Sequence, residues 1–262
     1  MGLADLHIHT VFSFDGTASI PAVLERARKR GLDIVAITDH DVIKGALLAL
    51  ELAPQYGIQV IPGIEVTTAE GHLLALCIQR LVPSGLSLME TVMRVGELGG
   101  FCVAPHPVAD ALGMRCLGAY AIREVLRDRD AAHILIGLET YNAMLLDRAA
   151  NLAARILAER SDIAQTGSSD AHTVDAVGLG LTVFPGNTIQ QLLAALWTAT
   201  TQIQRGPQWG PVRIAGTWAV RKLALGVSSG FRPGRAQRNR YAEKALQGDT
   251  AQVDEALSVQ SR

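Results

Sequence analysis

The sequence of 262 residues has few cysteines, no excess of charge of either sign and no long apolar segment. Its three cysteines, Cys77, Cys102 and Cys116, show no CxxC spacing, so we expect buried free thiols and a reducing, cytoplasmic location. The 24 basic and 25 acidic residues nearly cancel, so no overall field selects nucleic acid or a membrane. No segment approaches the roughly 18 apolar residues of a spanning helix, and no signal-peptide pattern precedes Asp5. We therefore expect a soluble protein without integral membrane association.

The first 200 or so residues alternate between short apolar runs and longer segments with helical periodicity. Nearly continuous apolar strands are typical of a parallel sheet covered by helices, and about seven or eight strand–helix units favour a barrel. The predicted strands are Ala4–Ile8, Ile34–Thr38, Gln59–Pro62, Leu73–Ile78, Phe101–Ala104, Ile134–Leu138, Ile163–Thr166 and Gly180–Val183. The predicted helices are Ile20–Arg30, Val42–Tyr56, Leu88–Leu98, Ile122–Arg127, Leu145–Glu159 and Ile189–Ala199.

The character of the sequence changes near Arg205, so we assign residues 1–204 to the barrel and residues 205–262 to a C-terminal extension. The segment Arg205–Arg240 contains eight basic residues and no acidic one. We expect this extension to contain a helix over Ile214–Val227 that packs on the barrel, with its arginines reaching into water. The alternative interpretations are a surface that follows the phosphates of an oligonucleotide and a peripheral contact with a membrane.

Six of the seven histidines lie near the ends of predicted strands, close to carboxylates. His7 and His9 are two positions apart on the first predicted strand, so both side chains face one side and can bind one cation. Barrel active sites are assembled at the rim where the strands end. Imidazole and carboxylate groups suit Zn, Mn or Fe, whereas His133 has no partner and is interpreted as an ordinary residue. The nine predicted metal ligands are His7, His9, Asp15, His40, Glu65, His72, His106, Asp170 and His172.

Six motifs between residues 5 and 172 carry a family resemblance, in the order DLHIHTVFSFDG, AITDHD, PGIEV, GHLLAL, APHP and GSSDAH. The sequence resembles the polymerase-and-histidinol-phosphatase (PHP) superfamily of metal-dependent phosphoesterases. The resemblance implies an α/β fold, a distorted (β/α)7 barrel of the TIM type, and a cluster of two or three divalent metal ions.

The resemblance also implies how the ligands are shared among the metals. The first metal would take His7, His9, Glu65 and Asp170, with Glu65 as a bridge; the second would take Asp15, His40 and His172; the third would take His72, His106 and Glu65. Asp15 stands where one branch of the family has histidine, so the sequence resembles the branch of predicted phosphoesterases rather than the histidinol phosphatases. The short segment between His72 and His106 resembles the family members that lack a helical insert.

We expect hydrolysis of a small phosphomonoester, such as a nucleotide or sugar phosphate, by a hydroxide that bridges two metals. Asp170 or His172 could deliver a proton to the leaving alkoxide, and no Ser or Cys nucleophile with its own base is visible. Arg115 and Asn142 are the predicted substrate contacts. The alternatives left open are a phosphodiesterase or exonuclease on short oligonucleotides, a hydrolase of amides or lactones, and a binding module without turnover.

Two further carboxylates lie next to predicted ligands. Histidines that bind a metal usually donate their second ring N–H to a carboxylate or carbonyl oxygen. Asp5 and Asp39 are therefore predicted to orient His7 and His40, with the capping of a following helix as the alternative role for Asp39.

Overall fold

The computed structural model describes residues 1–109, 114–145, 148–206, 209–210, 212–214 and 216–217. The chain divides into two compact units, Met1–Ala215 and Gly216–Arg262. Most of the second unit, and with it most of the predicted helix over Ile214–Val227, lies outside the described residues. The packing of the extension at residues 205–262 therefore stays a prediction. Within the described ranges, every helix is too short or too polar to cross a membrane.

The described strands and helices alternate along the chain as the sequence predicts. The strands are β1 (Gly2–Asp5), β2 (Ile34–Ile37), β3 (Gln59–Thr67), β4 (His72–Leu76), β5 (Phe101–Ala104), β6 (Leu135–Asn142), β7 (Ala164–Ser168), β8 (Gly180–Phe184) and β9 (Gln202–Arg205). The helices are α1 (Ile20–Lys29), α2 (Lys44–Leu52), α3 (Leu88–Glu97), α4 (Ala119–Arg127), α5 (Arg129–Ala132), α6 (Arg148–Ser161) and α7 (Ile189–Trp197), with 3-10 turns at Ala53–Tyr56 and Val174–Ala176.

All of these strands belong to one mixed sheet in the order β7-β6-β5-β4-β3-β2-β1-β8-β9. Strand β4 runs antiparallel to β3 and β5, and β8 runs antiparallel to β1 and β9, so the prediction of a parallel sheet was wrong at these strands. A run of apolar residues indicates that a strand is buried, but it does not indicate the direction of the strand. The short link from Thr67 to His72 decides the direction of β4, because only a hairpin can be closed by so few residues.

The two sides of the sheet approach each other at β7 and β8, which nearly closes a barrel. The hydroxyl of Thr182 accepts a hydrogen bond from the Gly167 N–H and donates one to the Gly167 carbonyl oxygen, each at 3.0 Å. A Cβ atom at Gly180 would lie 2.1 Å from the carbonyl oxygen of Ser168, so glycine permits this approach. The predicted α/β barrel of the distorted TIM type is confirmed.

The core of the barrel is made by residues two positions apart on successive strands. Ile34 and Ala36 on β2, and Leu74 and Leu76 on β4, point into the same buried cluster, as the two-residue period of a strand requires. Leu192, on α7, belongs to the same cluster. Burial of each large aliphatic side chain contributes about 1.5–3 kcal/mol, and this apolar packing holds the strand ends that carry the polar side chains described next.

Candidate metal centre

The predicted ligands meet at the rim formed by the strand ends. The sequence predicted that His7 and His9 lie on the first strand. Strand β1 instead ends at Asp5, so both histidines lie just beyond it. Ile8 between them forms a parallel bridge with Ala171, which keeps the segment extended and turns both imidazoles to one side. Their Nε2 atoms are 3.0 Å apart. The inference that His7 and His9 face together is confirmed, although the strand boundary was wrong.

His72 reaches the same rim because β4 runs in the opposite direction. It is the first residue of β4 and pairs with Thr67 near the end of β3. The N-terminal end of an antiparallel strand lies beside the C-terminal end of its neighbour. A residue that opens β4 therefore contributes to a site that is otherwise built from residues at or after strand ends.

Glu65, on β3, is the centre of the arrangement. Its carboxylate is 1% exposed and has imidazole nitrogens of five histidines within 3.3 Å. Its position fits a carboxylate that is shared between metal ions. Oε2 lies 3.2 Å from His7 Nε2, 3.1 Å from His9 Nε2 and 3.3 Å from His40 Nδ1, and Oε1 lies 2.9 Å from His72 Nδ1 and 3.1 Å from His106 Nε2.

Asp15 lies close to a second set of imidazoles. Its Oδ2 atom lies 3.2 Å from His40 Nε2 and 3.4 Å from His172 Nε2. The hydroxyl of Ser13 donates to Asp15 Oδ1 at 2.5 Å and fixes the carboxylate. Asp170 is a third carboxylate of the centre, and its Oδ1 atom lies 3.3 Å from His9 Nε2 and 3.5 Å from His7 Nε2.

Every one of the nine predicted ligands belongs to at least one group whose ligand atoms lie within 4.8 Å of one another. His72 and His106, which the family resemblance placed on one metal, fall in two different groups, and each group contains Glu65. The groups are His9, Asp15, His40 and His172; His7, Glu65 and His106; His7, His9 and Asp170; and His40, Glu65 and His72.

The donor set fits divalent metal ions. The groups contain imidazoles and carboxylates but no thiolate, which suits Zn, Mn or Fe.

The hydrogen bonds of the histidine rings also fix which ring nitrogen faces the centre. His172 Nδ1 lies 2.8 Å from the backbone carbonyl oxygen of Asp170, so it carries the proton and Nε2 is left for a metal. His7 Nδ1 likewise lies 3.1 Å from Glu139 Oε1.

The reasoning from sequence missed Glu139, which lies on β6 and is fully buried. Besides His7 Nδ1, it accepts hydrogen bonds through Oε2 from the His106 N–H at 2.7 Å and the Asn142 amide at 2.9 Å. Burial alone would lower the pKa of His7, but Asp170, Glu65 and Glu139 outweigh it and hold that pKa well above its ordinary value. The sequence could have identified Glu139, because it directly follows the predicted strand Ile134–Leu138, as residues of a barrel active site do.

The prediction that Asp5 and Asp39 orient metal-binding histidines was wrong. Asp5 accepts from the backbone N–H groups of Ser169 at 3.0 Å and Gly178 at 2.7 Å. Asp39 accepts from the backbone N–H of Thr10 at 2.6 Å and from its hydroxyl at 2.8 Å. Both carboxylates therefore tie the rim loops together, and neither caps α2, whose N-cap is Ile43.

Both predicted substrate contacts, Asn142 and Arg115, donate hydrogen bonds to other residues of the chain. Asn142 is 1% exposed, and its amide donates to Glu139 Oε2 at 2.9 Å and to Asp170 Oδ2 at 3.2 Å. The guanidinium of Arg115 donates to the carbonyl oxygens of Thr68 and Ala69, each at 3.2 Å. Asn142 thus positions two carboxylates of the centre, and its contact with substrate, like that of Arg115, stays a prediction.

Asp170 and His172 were also predicted to deliver a proton. Burial alone would raise the pKa of Asp170, but His7 and His172 outweigh it and hold that pKa well below its ordinary value. Asp170 is therefore a carboxylate, as a metal ligand must be. Its backbone has a φ of 51°, a left-handed conformation that costs about 1–3 kcal/mol and recurs at functional sites. Proton delivery by either residue stays a prediction.

Comparison with known proteins agrees with this geometry. A model of the PHP domain matches residues 5–162, and a PHP-associated model matches residues 148–201. An uncharacterized protein of Methanocaldococcus jannaschii is 35% identical over 158 residues, which are 56% of this chain and 86% of that protein. The chain belongs to the PHP domain family.

Two further proteins are similar over part of their length. A phosphoribosyl 1,2-cyclic phosphate 1,2-diphosphodiesterase of Eggerthella lenta is 36% identical over 98 residues, which are 35% of this chain and 37% of that enzyme. A two-domain protein from Bacteroides vulgatus, described as containing a predicted PHP-like metal-dependent phosphoesterase, has a TM-score of 0.63 at 21% identity. That match covers 78% of this chain and 64% of the other, and it shows the shared fold.

We predict that Glu139→Gln lowers metal affinity or turnover by about 10–100-fold, the usual effect of losing a carboxylate behind a ligand. Glutamine has one acceptor oxygen, whereas three donors converge on Glu139, so at least one donor would face an NH2 group. Metal titration of the purified variant measures the effect. Glu97→Gln, on the surface of α3, serves as the control, and equal metal affinities for the two variants would remove the assigned role of Glu139.

Proposed function

We propose that this PHP-family phosphoesterase hydrolyses a small phosphomonoester, such as a nucleotide or sugar phosphate. The observation that carries the proposal is the carboxylate of Glu65, which lies within 3.3 Å of five imidazoles at the barrel rim. Carboxylates shared in this way suit clusters of two or three ions. A phosphate ester is already anionic, so its cleavage benefits from several positive charges that are held close together.

We further propose Zn, Mn or Fe as the ions, held by the nine residues grouped above. When bound, such ions would neutralise the charge of the phosphate and activate water. The residues of the chain have three tasks. Glu65, Asp15 and Asp170 supply the negative charge that retains cations. Glu139 and the Asp170 carbonyl hold His7 and His172 in the required tautomers. His172, whose ring is 4% exposed, is the proposed proton donor to the leaving group, a task that requires its Nε2 not to be coordinated, because its Nδ1–H is held by the Asp170 carbonyl oxygen.

Arg115 is the proposed phosphate contact from outside the metal centre. It is exposed, and the backbone N–H of His72 donates to its carbonyl oxygen at 2.7 Å, so the residue lies beside a ligand. A guanidinium can hold two phosphate oxygens at once. Its guanidinium already donates hydrogen bonds to the carbonyl oxygens of Thr68 and Ala69, so the side chain would lose less conformational entropy when it binds a phosphate.

A screen of metal-loaded protein against phosphomonoesters, cyclic phosphodiesters, dinucleotides and short oligonucleotides tests the proposal. We expect phosphate release from at least one monoester and at least about 10²-fold slower release by His9→Ala, because His9 belongs to two ligand groups. Equal rates of phosphate release by the unsubstituted protein and by His9→Ala would refute the assignment of the active site to this metal centre. Cleavage of amides or lactones, with no phosphate ester turned over, would refute the class of reaction.

A phosphodiesterase or exonuclease acting on short oligonucleotides is the second candidate. The name of the Eggerthella lenta relative, a diphosphodiesterase, favours it. The same metal centre could cleave a diester if the rim accommodates a second ester group. The cyclic and oligonucleotide arms of the screen separate the two candidates, because a monoesterase leaves those substrates intact.

A further inference from the structure

A cavity adjoins the metal centre at Asn142, and none of the nine predicted ligands lines it. Its volume is about 450 Å³, within the range of about 300–1,000 Å³ that is usual for small-molecule sites. It is bordered by the end of β6, by α6 and by β9. Asn151, in its wall, accepts from the Asn142 N–H at 2.9 Å and donates to the Asn142 carbonyl oxygen at 3.2 Å. The buried Asn142 therefore stands between this cavity and the metal centre.

The charge of the cavity is unbalanced. Among the described residues that line it there are three arginines, Arg148, Arg155 and Arg205, and no Asp or Glu. Arg155 donates to Glu159 at 2.8 Å, one turn further along α6. Arg148 and Arg205 form no ion pair with any residue that the structure describes. These two guanidinium groups make the cavity positively charged, and a bound anion would offset that charge.

Aromatic rings lie beside these charges. The Arg205 guanidinium is 5.3 Å from the centroid of the Tyr141 ring, and Trp209 also lines the cavity. Burial raises the pKa of Tyr141, while Arg205 and Arg148 act against this rise, which places both charges near its hydroxyl. Guanidinium groups beside aromatic rings of this size suit an anion that is attached to an organic group.

We propose that this cavity binds a small phosphorylated molecule, with Arg148 and Arg205 holding the phosphate and with Tyr141 and Trp209 flanking the remainder. Asn142 borders both the cavity and the metal centre, but none of the nine predicted metal ligands lines the cavity, so the proposal does not depend on the reaction assigned to that centre. Adenosine monophosphate is a suitable probe, because it combines a phosphate with a planar ring, and adenosine is its uncharged counterpart.

The test is calorimetric binding to the full chain carrying His9→Ala, in which turnover at the metal centre is suppressed. We expect one molecule of adenosine monophosphate to bind, adenosine to bind at least tenfold more weakly, and Arg148→Gln with Arg205→Gln to weaken nucleotide binding at least tenfold. The matched control is Arg123→Gln with Arg129→Gln, two exposed arginines on α4 and α5, which should leave binding unchanged. Absence of binding, equal binding of adenosine, or binding unaffected by the first pair of substitutions would overturn the proposal.

A second measurement needs no substituted protein. Phenylglyoxal modifies accessible arginines, and inorganic phosphate should protect Arg148 and Arg205 while Arg123 and Arg129 react as before. Peptide mass spectrometry reads each position separately. Equal modification of Arg148 and Arg205 with and without phosphate would count against a phosphate site, whatever the calorimetry showed for the nucleotide.

Discussion

Glu65→Gln should reduce metal-dependent phosphate release by about 10³-fold and lower the bound metal content. The substitution keeps the size of the side chain but removes the charge that faces five imidazoles. The expected loss of about 10³-fold corresponds to about 4 kcal/mol of transition-state stabilisation, because each 1.36 kcal/mol is about tenfold in rate. The amide would also direct N–H groups toward nitrogens that must accept a cation.

Two measurements are needed for this variant. Elemental mass spectrometry of the purified protein gives the metal content, and kcat/KM on the best monoester from the screen gives the activity. Glu51→Gln, at an exposed position on α2, is the matched control because it makes the same chemical change away from the rim. A Glu65→Gln protein with full metal content and a kcat/KM within about threefold of the unsubstituted enzyme would disprove the central role of Glu65.

The sequence was sufficient to predict most of the fold, because burial and period are local properties. The eight predicted strands correspond to β1 to β8. Strand β9 was missed because the segment Gln202–Arg205 is polar and mostly exposed; it is a strand only through its hydrogen bonds to β8. The direction of β4 was missed because an apolar run reports burial and not orientation.

The residues that form the site were also predictable, but the hydrogen bonds that support them were not. Residue type and position near strand ends were enough to select the nine residues that the structure brings together. Two hydrogen-bond donors to Asp5, the backbone N–H groups of Ser169 and Gly178, are 164 and 173 positions away along the chain. No local pattern encodes such a contact. Proximity in sequence therefore favoured Asp5 as the support of His7, whereas closure of the barrel assigns that task to Glu139.

Removing the metals with a chelator should lower the Tm of the protein by about 10 °C. A ligand that binds only the folded state at about 1,000 times its Kd stabilises it by about 4.1 kcal/mol, and each kcal/mol shifts Tm by about 2–4 °C for a chain of this size. Without cations, the buried imidazoles face one another. Burial and the neighbouring His172 lower the pKa of His9 to about 4, so His9 is neutral and leaves the carboxylates less well compensated at neutral pH.

Thermal unfolding of the full chain, recorded with bound metal, after chelation and after metal is added back, measures this effect. Restoration of Tm by Zn, Mn or Fe excludes damage by the chelator and identifies which ions the centre accepts. Glu65→Gln is the informative comparison, since a chain that holds less metal has less stability to lose and should shift by only a few degrees. If chelation empties the unsubstituted protein, as mass spectrometry would show, and its Tm does not change, the buried groups are already satisfied without cations. In that case the geometry at the rim would need a different explanation from metal binding.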